Sequence, residues 1–492
     1  MEQWSSKFGF ILAAIGSAVG IGNIWRFSAV LGQNGGGAYL IPYLIAVFLF
    51  AMPLMILELA MGRHFRADVV TAFRRVDPRF HLIGWLICGI VFLILSYYLV
   101  ITGWTVGYTL FSVAGIGVPF SAFTGGYLPL LLFVFTALVT GGIVSLGLRN
   151  GIERISILLI PVCVAILIIM AVYGAFLPGF PRAMEFLFTP DFSVLTNPLI
   201  WSAAFGQAFF SLSVGQGILL TYGAYVSRDQ SLPSSAAIIT MIDLSVAILA
   251  GVVIFPLVFS FGLTPAMGAE LAFSTLPKAF AAMPAGSLFA TSFFLVLFFA
   301  ALTSSISMLE VSVASMREAL DWSRTKTVAL LTGIVLIVGL PSALSYSGLS
   351  LSLAGMRILD LMDETVGTLG LPVTAMLVAI AFTWFVPKRM LEDEIGGKHR
   401  LVSFIYPICK FVIPTVLFVT TAGRLLSGFD FPGTRIYPGS EFIGSLLQVE
   451  GVFFVIAILL AVTLLMCRVR GCRWCPRVIR KREDRGEGPD ER

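Results

Sequence analysis

Six ionisable side chains, Arg26, Glu58, Asp243, Glu310, Asp360 and Asp363, lie inside long apolar stretches of this 492-residue chain. A charged group at the centre of a bilayer costs about 2.5–3.5 kcal/mol on insertion scales, so each needs a partner or a task. Asp243 is the most informative. It stands in IITMIDLSVAILAG, residues 238–251, with no basic residue close in sequence. A lone carboxylate in such a run calls for a cation. The polar run LTSS at 302–305 offers hydroxyl oxygens and, if its helix is locally open, carbonyls. A single Ser or Thr in a membrane helix usually bonds back to its own helix, so Thr303 and Ser304 alone are a weak signal. Together with Asp243 they form a set of hard oxygen ligands of the kind a hard cation such as sodium takes.

Two Gly/Ser-rich interruptions complete the set. GSAVGIGN at 16–23 and SLSVGQG at 211–217 each break an apolar run in its middle. They occupy corresponding positions if the first five and the next five apolar runs are two repeats. Paired interruptions of this kind mark the midplane binding site of an inverted-repeat transporter. Close helix packing through Gly16 and Gly20 is the plainer reading of the first. It does not account for Asn23 and Arg26 just beyond, nor for the second break.

Catalytic constellations are missing from the sequence. His64, His81 and His399 form no HExxH, and no Ser/His/Asp or Cys/His set is evident. The glycine run 35–37 lacks the Lys-Ser/Thr of a phosphate loop. Cys88, Cys163 and Cys409 lie in apolar runs, and Cys467, Cys472 and Cys475 at the end of the last. The lone CxxC at 472–475 has no further zinc ligands nearby, and no disulfide framework is suggested. The expectation is a protein that is not an enzyme.

The elements that must hold these residues follow from composition. The chain is 58% hydrophobic and 12% charged, with a mean hydropathy of +0.96. Soluble domains carry about 25% charged residues. This excludes an ordinary soluble enzyme, a disordered chain and a nucleic-acid binder. Apolar runs fall at 8–33, 38–62, 82–114, 127–148, 155–177, 199–222, 235–263, 286–315, 327–343, 351–386, 401–422 and 447–467. Backbone groups in lipid must be satisfied within the segment, so each run reads as a transmembrane helix. The first run is too long for a cleavable signal and continues into the glycine-rich segment.

With the N-terminus inside, 25 of the 32 Lys and Arg fall on the cytoplasmic side, five outside (Arg182, Lys278, Arg357, Arg424, Arg435) and two, Arg26 and Lys410, within spans. The positive-inside rule therefore places both termini in the cytoplasm of a multi-pass protein of the cell (inner or plasma) membrane. Nine of the cations follow Cys467. That tail is a solvated segment or a contact for anionic lipid, and it explains the net charge of +5 without nucleic acid.

The runs WSSKFGFILAAIGSAVGIGNIWRF, NGGGAYLIPY, PLMILELAMGR, SYYLVITGW, FFSLSVGQG, TYGAYV and LFFAALTSSIS, in this order from Trp4 to Cys467, resemble the neurotransmitter:sodium symporter family. The resemblance implies an all-α polytopic membrane protein of 12 helices, a LeuT-like 5+5 inverted repeat with helices 1 and 6 unwound. Its parts would be a first repeat at 1–177, an extracellular loop at 178–198, a second repeat at 199–386, helices 11 and 12 at 387–467 and the basic tail at 468–492.

Carried over position by position, the resemblance implies two sodium ions. One would be held by the Ala18 carbonyl, Asn23, Ser211, Asp243 and the substrate carboxylate. The other would be held by carbonyls of Gly16, Val19 and Ala300 with the hydroxyls of Thr303 and Ser304. The substrate carboxylate would meet the Gly20–Gly22 backbone and Tyr98, and its amine the carbonyls of Ala18, Phe210 and Ser211. Ser17, Ile94, Tyr98, Phe210, Ser213, Gln216, Ser304 and Met308 would surround the side chain. Phe210 would close the pocket, Arg26 and Asp363 would pair as an outer gate, and Glu58 would tie the unwound segments together. Tyr97 reads as a core residue. At the inner gate, relatives pair an Arg three residues before the Trp with an acid. Met1 holds the place of that arginine here and Glu318 the place of the acid, so either Lys7 or a loop arginine substitutes or the chain begins upstream of this Met1. Tyr225 and Glu310 would join the same network.

Two departures sharpen the expectation. Gly20 stands where relatives that carry monoamines have an Asp, so the substrate brings its own carboxylate. The expected substrate is a neutral, hydrophobic or aromatic L-amino acid, with Gln216 able to bond a polar side chain. Asp243 stands where LeuT-like members have Asn, and Ala247, four residues on, where they have Glu or a chloride-binding Ser. The expected symport is then independent of chloride, with Asp243 carrying a proton back on the return step as a further hypothesis. The protein would act as a monomer or homodimer with amino acid, sodium and membrane lipid as partners. The rival reading is a substrate-sensing or channel-like protein on the same scaffold.

Overall fold

The computed structural model describes residues 2–426, apart from 190–191, 193–194, 196–197, 264–270, 354 and 398. Met1, the expected twelfth span at 447–467, Arg435, the three C-terminal cysteines and the basic tail lie outside the described residues. Among the described residues, nine helices are long and apolar enough to cross a membrane: Gly37–Phe65, Pro78–Val113, Leu128–Ser145, Leu148–Gly174, Leu232–Ser260, Gly286–Leu320, Arg324–Ser345, Ile358–Trp384 and His399–Ala422. They are spans 2–5 and 7–11. Span 1 is the bent pair Lys7–Ala18 and Gly22–Gln33, whose halves meet at 55°. Span 6 is also in two pieces, Pro198–Ser211 and Ile218–Ala224, each too short to cross alone at about 1.5 Å per residue.

Local sequence explains both breaks. The first helix is capped at its start by the Ser6 hydroxyl, which accepts from the Gly9 N–H. It stops at Val19, whose backbone is extended. The chain resumes as a single wide turn at Gly22–Arg26 before Phe27–Gln33. In span 6, Ser213, Gly215 and Gly217 have φ of 53°, 82° and 71°. That left-handed run cannot continue a right-handed helix. A Cβ on Gly215 would also lie 2.6 Å from the Ala375 Cβ, so only glycine fits there. The breaks strip carbonyl and N–H groups of their helical partners in the interior of the protein, which is tolerable in a membrane only where other groups answer them.

Span 10 begins later than its apolar run. Residues 352–357 form a two-stranded hairpin, Ser352–Leu353 against Met356–Arg357, and the helix starts at Ile358. Gly355, with a φ of 78°, suits this turn.

Span 3 is the central helix. The most apolar 18 residues of Pro78–Val113 are 94% buried, against 33% for those of Leu148–Gly174. Span 3 packs most extensively along span 8, Gly286–Leu320. Leu131, Leu158, Ile169 and Ile337, on spans 4, 5 and 9, are exposed. An apolar rind of this kind is the surface that lipid covers.

Candidate functional site

The broken segments of spans 1 and 6 meet beside spans 3, 7 and 8. At their centre is a closed triangle of polar side chains. The Asn23 amide donates to Asp243 Oδ1 at 2.6 Å and to Ser211 Oγ at 2.8 Å, while Ser211 Oγ donates to Asp243 Oδ2 at 2.7 Å. Asn23 Oδ1 accepts from the Gly20 N–H at 3.1 Å. All three side chains are buried. Three spans thus deliver an amide, a hydroxyl and a carboxylate to one place. No His or Cys joins them, and among the described residues no cluster of three His, Cys, Asp or Glu could hold a softer metal. The donor set fits a hard monovalent cation.

A second oxygen cluster lies between the end of the first half-helix and span 8. Ser304 Oγ stands 3.4 Å from the Gly16 carbonyl and 3.3 Å from that of Ser17, and donates to the Ala300 carbonyl at 3.1 Å. Thr303 Oγ1 also reaches the Ala300 carbonyl, at 3.0 Å. The carbonyl end of a helix attracts cations.

Between the two clusters the backbone of span 1 is closely walled. A Cβ on Gly20 would lie 2.9 Å from Ser304 Oγ and 3.0 Å from the Tyr98 hydroxyl. That hydroxyl accepts from the Ile21 N–H at 3.2 Å. Ser213 Oγ donates to the Ser17 carbonyl at 2.8 Å, which ties the two breaks to each other. Glu58 Oε1 accepts from the Gly215 N–H at 2.6 Å, while its Oε2 takes no hydrogen bond among the described residues, so it holds the break in span 6 and not both unwound segments. Ile94 stands one turn from Tyr98, and Met308 one turn from Ser304. Both are buried, as are Ser17, Ala18, Val19 and Gln216. The structure therefore brings Ser17, Gly20, Asn23, Tyr98, Ser211, Ser213, Asp243 and Ser304, from spans 1, 3, 6, 7 and 8, around one locus.

The gates differ from expectation. Arg26 and Asp363 form no ion pair within 4.0 Å. The Arg26 guanidinium instead lies over the Phe210 ring, 4.6 Å from its centroid, a cation–π contact. Asp363 Oδ1 accepts from the Tyr97 hydroxyl at 2.9 Å. Tyr97 is therefore more than a core residue. Its ring is buried among neighbours, and only the packing of span 10 on span 3 shows what its hydroxyl meets. Glu318 makes no ion pair among the described residues. Its neighbour Arg317 stands 3.9 Å from Glu2, a half-exposed contact of opposite polarity to the one expected.

The stronger closure at the N-terminal face comes from other groups. The Trp4 indole donates to the Tyr222 carbonyl at 3.1 Å, and the Trp4 N–H to the Tyr225 carbonyl at 3.3 Å. Glu153 takes the Ser5 N–H at 3.0 Å and also bonds the Ser5 hydroxyl. Glu310 is paired with Arg324 at 2.5 Å and accepts from the Tyr225 hydroxyl at 3.1 Å. Lys7 takes no part in these contacts. Gln207, not singled out in the sequence, donates to the Gly22 carbonyl at 3.0 Å and so answers one of the groups freed by the break.

The sodium:neurotransmitter symporter family matches residues 1–127 and 124–467, nearly the whole chain. The chain belongs to this family. An uncharacterized sodium-dependent transporter of Bacillus subtilis is 34% identical over 440 residues, 85% of this chain and 96% of that one. Another from Methanocaldococcus jannaschii is 31% identical over 461 residues, 87% and 92% of the two chains. The crystal structure of MhsT in complex with L-phenylalanine superposes with a TM-score of 0.79 at 37% identity, covering 86% of this chain and 99% of that one. The chain is thus a sodium-dependent membrane transporter of LeuT-like fold, not an enzyme. In a symporter of this family the two oxygen clusters and the walled backbone between them lie where the half-helix ends converge.

Proposed function

We propose that this symporter couples two sodium ions to the uptake of a neutral, hydrophobic or aromatic L-amino acid by alternating access. The observation that carries the substrate class is Gly20, closed in by the Tyr98 hydroxyl and Ser304 Oγ at 3.0 and 2.9 Å from any Cβ. The protein supplies no acidic side chain for an amine at that point and no room for one. The backbone N–H groups of the break, of which Gly20 now donates to Asn23 Oδ1 and Ile21 to the Tyr98 hydroxyl, favour a carboxylate brought by the substrate. Ile94, Phe210 and Met308 give the side-chain region an apolar wall. That MhsT was crystallised with L-phenylalanine supports the same class.

The Asn23–Ser211–Asp243 triangle is the first sodium site with Ala18, and Gly16, Val19, Ala300, Thr303 and Ser304 form the second. Asp243 supplies in the chain the negative charge that chloride supplies in other members, and the buried Ala247 offers chloride no donor. Transport is chloride-independent. When sodium leaves, a proton takes the place of its charge on the buried carboxylate. Asp243 then returns protonated, giving proton counter-transport. Arg26 over Phe210 and Asp363 with Tyr97 close the outer side, and the Trp4 and Glu310 contacts close the cytoplasmic side. The charge bias of the loops supports cytoplasmic termini in the cell membrane. Each sodium entering at 100 mV contributes about 2.3 kcal/mol before its own gradient is added.

Sodium-dependent binding of an amino-acid panel to purified protein tests the reading. Binding of Phe, Trp, Tyr, Leu or Ile in sodium and not in potassium is expected. Binding restricted to charged amino acids, or to amines without a carboxylate, overturns it. In proteoliposomes, a need for external chloride refutes the role of Asp243, and an unchanged lumenal pH during uptake refutes the proton step. Counterflow of labelled substrate separates a carrier from a channel, since only a carrier exchanges.

A further inference from the structure

Arg63 ends span 2 with its side chain only 4% exposed, yet the substrate and ion sites do not use it. A buried guanidinium is costly unless its donors are answered. Here they are, by two elements separate from span 2. Nε donates to Glu394 Oε2 at 2.7 Å, and Nη2 donates to the Glu394 carbonyl. Nη1 donates to the carbonyls of Ser227 and Gln230 at 3.3 and 2.6 Å. Glu394 ends the helix Lys388–Glu394 between spans 10 and 11, and Ser227 and Gln230 lie in the loop that follows the inner half of span 6. Burial alone would raise the Glu394 carboxyl, but His64 and Arg63 outweigh it and hold it below the usual glutamate range.

The same helix of span 2 grips span 6 at two further levels. Glu58 holds the Gly215 N–H in the break. One turn on, the backbones touch: a Cβ on Gly62 would lie 2.1 Å from the Leu220 carbonyl oxygen, and one on Gly223 2.5 Å from that of Leu59. Met52–Phe65 and Ile218–Ala224 thus form one rigid pair, and Arg63 fastens the loop below it. The inner half of span 1 has no such fastening to span 2. It is held by Trp4 to span 6 and by Ser5 to span 5.

We propose that Arg63 is a positioning residue for the transport cycle. It makes the inner half of span 6 move with span 2 as one body and pins that body to Glu394. This rests on the reading of the chain as an alternating-access symporter. Arg63 then sets the rate of reorientation, not the affinity for ligands, and span 1 opens against a fixed pair.

The test uses the full-length protein carrying Arg63→Ala, Arg63→Lys or Glu394→Gln. Binding is read with 22Na+ and L-phenylalanine, net uptake in proteoliposomes, and amide exchange by mass spectrometry. In Arg63→Ala, both dissociation constants stay within about threefold of wild type, while the maximal uptake rate falls about tenfold or more at unchanged KM. Arg63→Lys remains slow, because a point-charge ammonium cannot bridge three elements as the planar fork does. Glu394→Gln keeps most of the rate, since its carbonyl and an amide oxygen still accept. Amide exchange over 218–230 rises in both Arg63 variants. Wild-type uptake in Arg63→Ala, or affinity and rate falling in parallel, overturns the proposal. If wild-type protein binds neither probe, the functional reading fails instead, and unchanged exchange over 218–230 alone decides against the clamp. If Arg63→Ala does not fold, the lysine and glutamine variants carry the same readouts.

Discussion

The Asn23 amide and the Asp243 carboxylate meet at 2.6 Å, across 220 residues of chain, with Ser211 closing the triangle. The contact ties the break in span 1 to an otherwise regular span 7. The three side chains hold one another in place, so a cation bound as proposed would take its oxygens from a preorganised set.

Asp243→Asn keeps the shape and removes the charge. A hydrogen bond or ligand contact to a charged group is worth about 1.5–3 kcal/mol. The half-saturating sodium concentration for substrate binding should rise about tenfold or more, with part of the loss restored by external chloride. Sodium titrations in chloride and gluconate measure both.

Gly20→Ala places a methyl 2.9 Å from Ser304 Oγ and 3.0 Å from the Tyr98 hydroxyl, so these two groups must shift out of the subsite's present geometry. Amino-acid binding should be lost while the protein remains folded. An equilibrium binding assay giving a wild-type dissociation constant would falsify the carboxylate subsite.

Tyr97→Phe leaves Asp363 without its 2.9 Å hydrogen bond. Loss of about 1 kcal/mol, roughly fivefold, is expected in the retention of bound substrate. Chase of labelled amino acid from purified protein reads it directly, as a faster off-rate.

Arg324→Ala strands Glu310, which is fully buried and paired at 2.5 Å. Removing one partner of a buried pair costs about 3–5 kcal/mol, whereas replacing both by apolar residues is often neutral. Thermal unfolding in detergent should fall for Arg324→Ala and recover largely in Arg324→Met/Glu310→Leu.

Glu394 has a lowered folded value, so its contribution is present above the unfolded carboxyl value and is lost as pH falls through the folded one. The difference in unfolding midpoint between wild type and Glu394→Gln should be constant from neutral pH down to about 5. It should shrink only below the ordinary glutamate range near about 4.3.

Much of this was written in the chain. The shortage of charge required a membrane, and the apolar runs dictated the spans because lipid tolerates only backbone satisfied within its own segment. Gly and Ser in mid-run announced both breaks, since the left-handed turn around Gly215 excludes most side chains. Asp243 announced a need for partners by being expensive to bury, and the LTSS run offered oxygens that could join it. Pairing was another matter. Nothing local says that Arg26 lies over Phe210 and not on Asp363, that Tyr97 takes Asp363, or that Arg63 finds Glu394 331 residues away. A side chain's type fixes what it needs, but which partner answers depends on which helices adjoin and at what height. That is settled by packing of faces distant in sequence, and only the tertiary structure decided it.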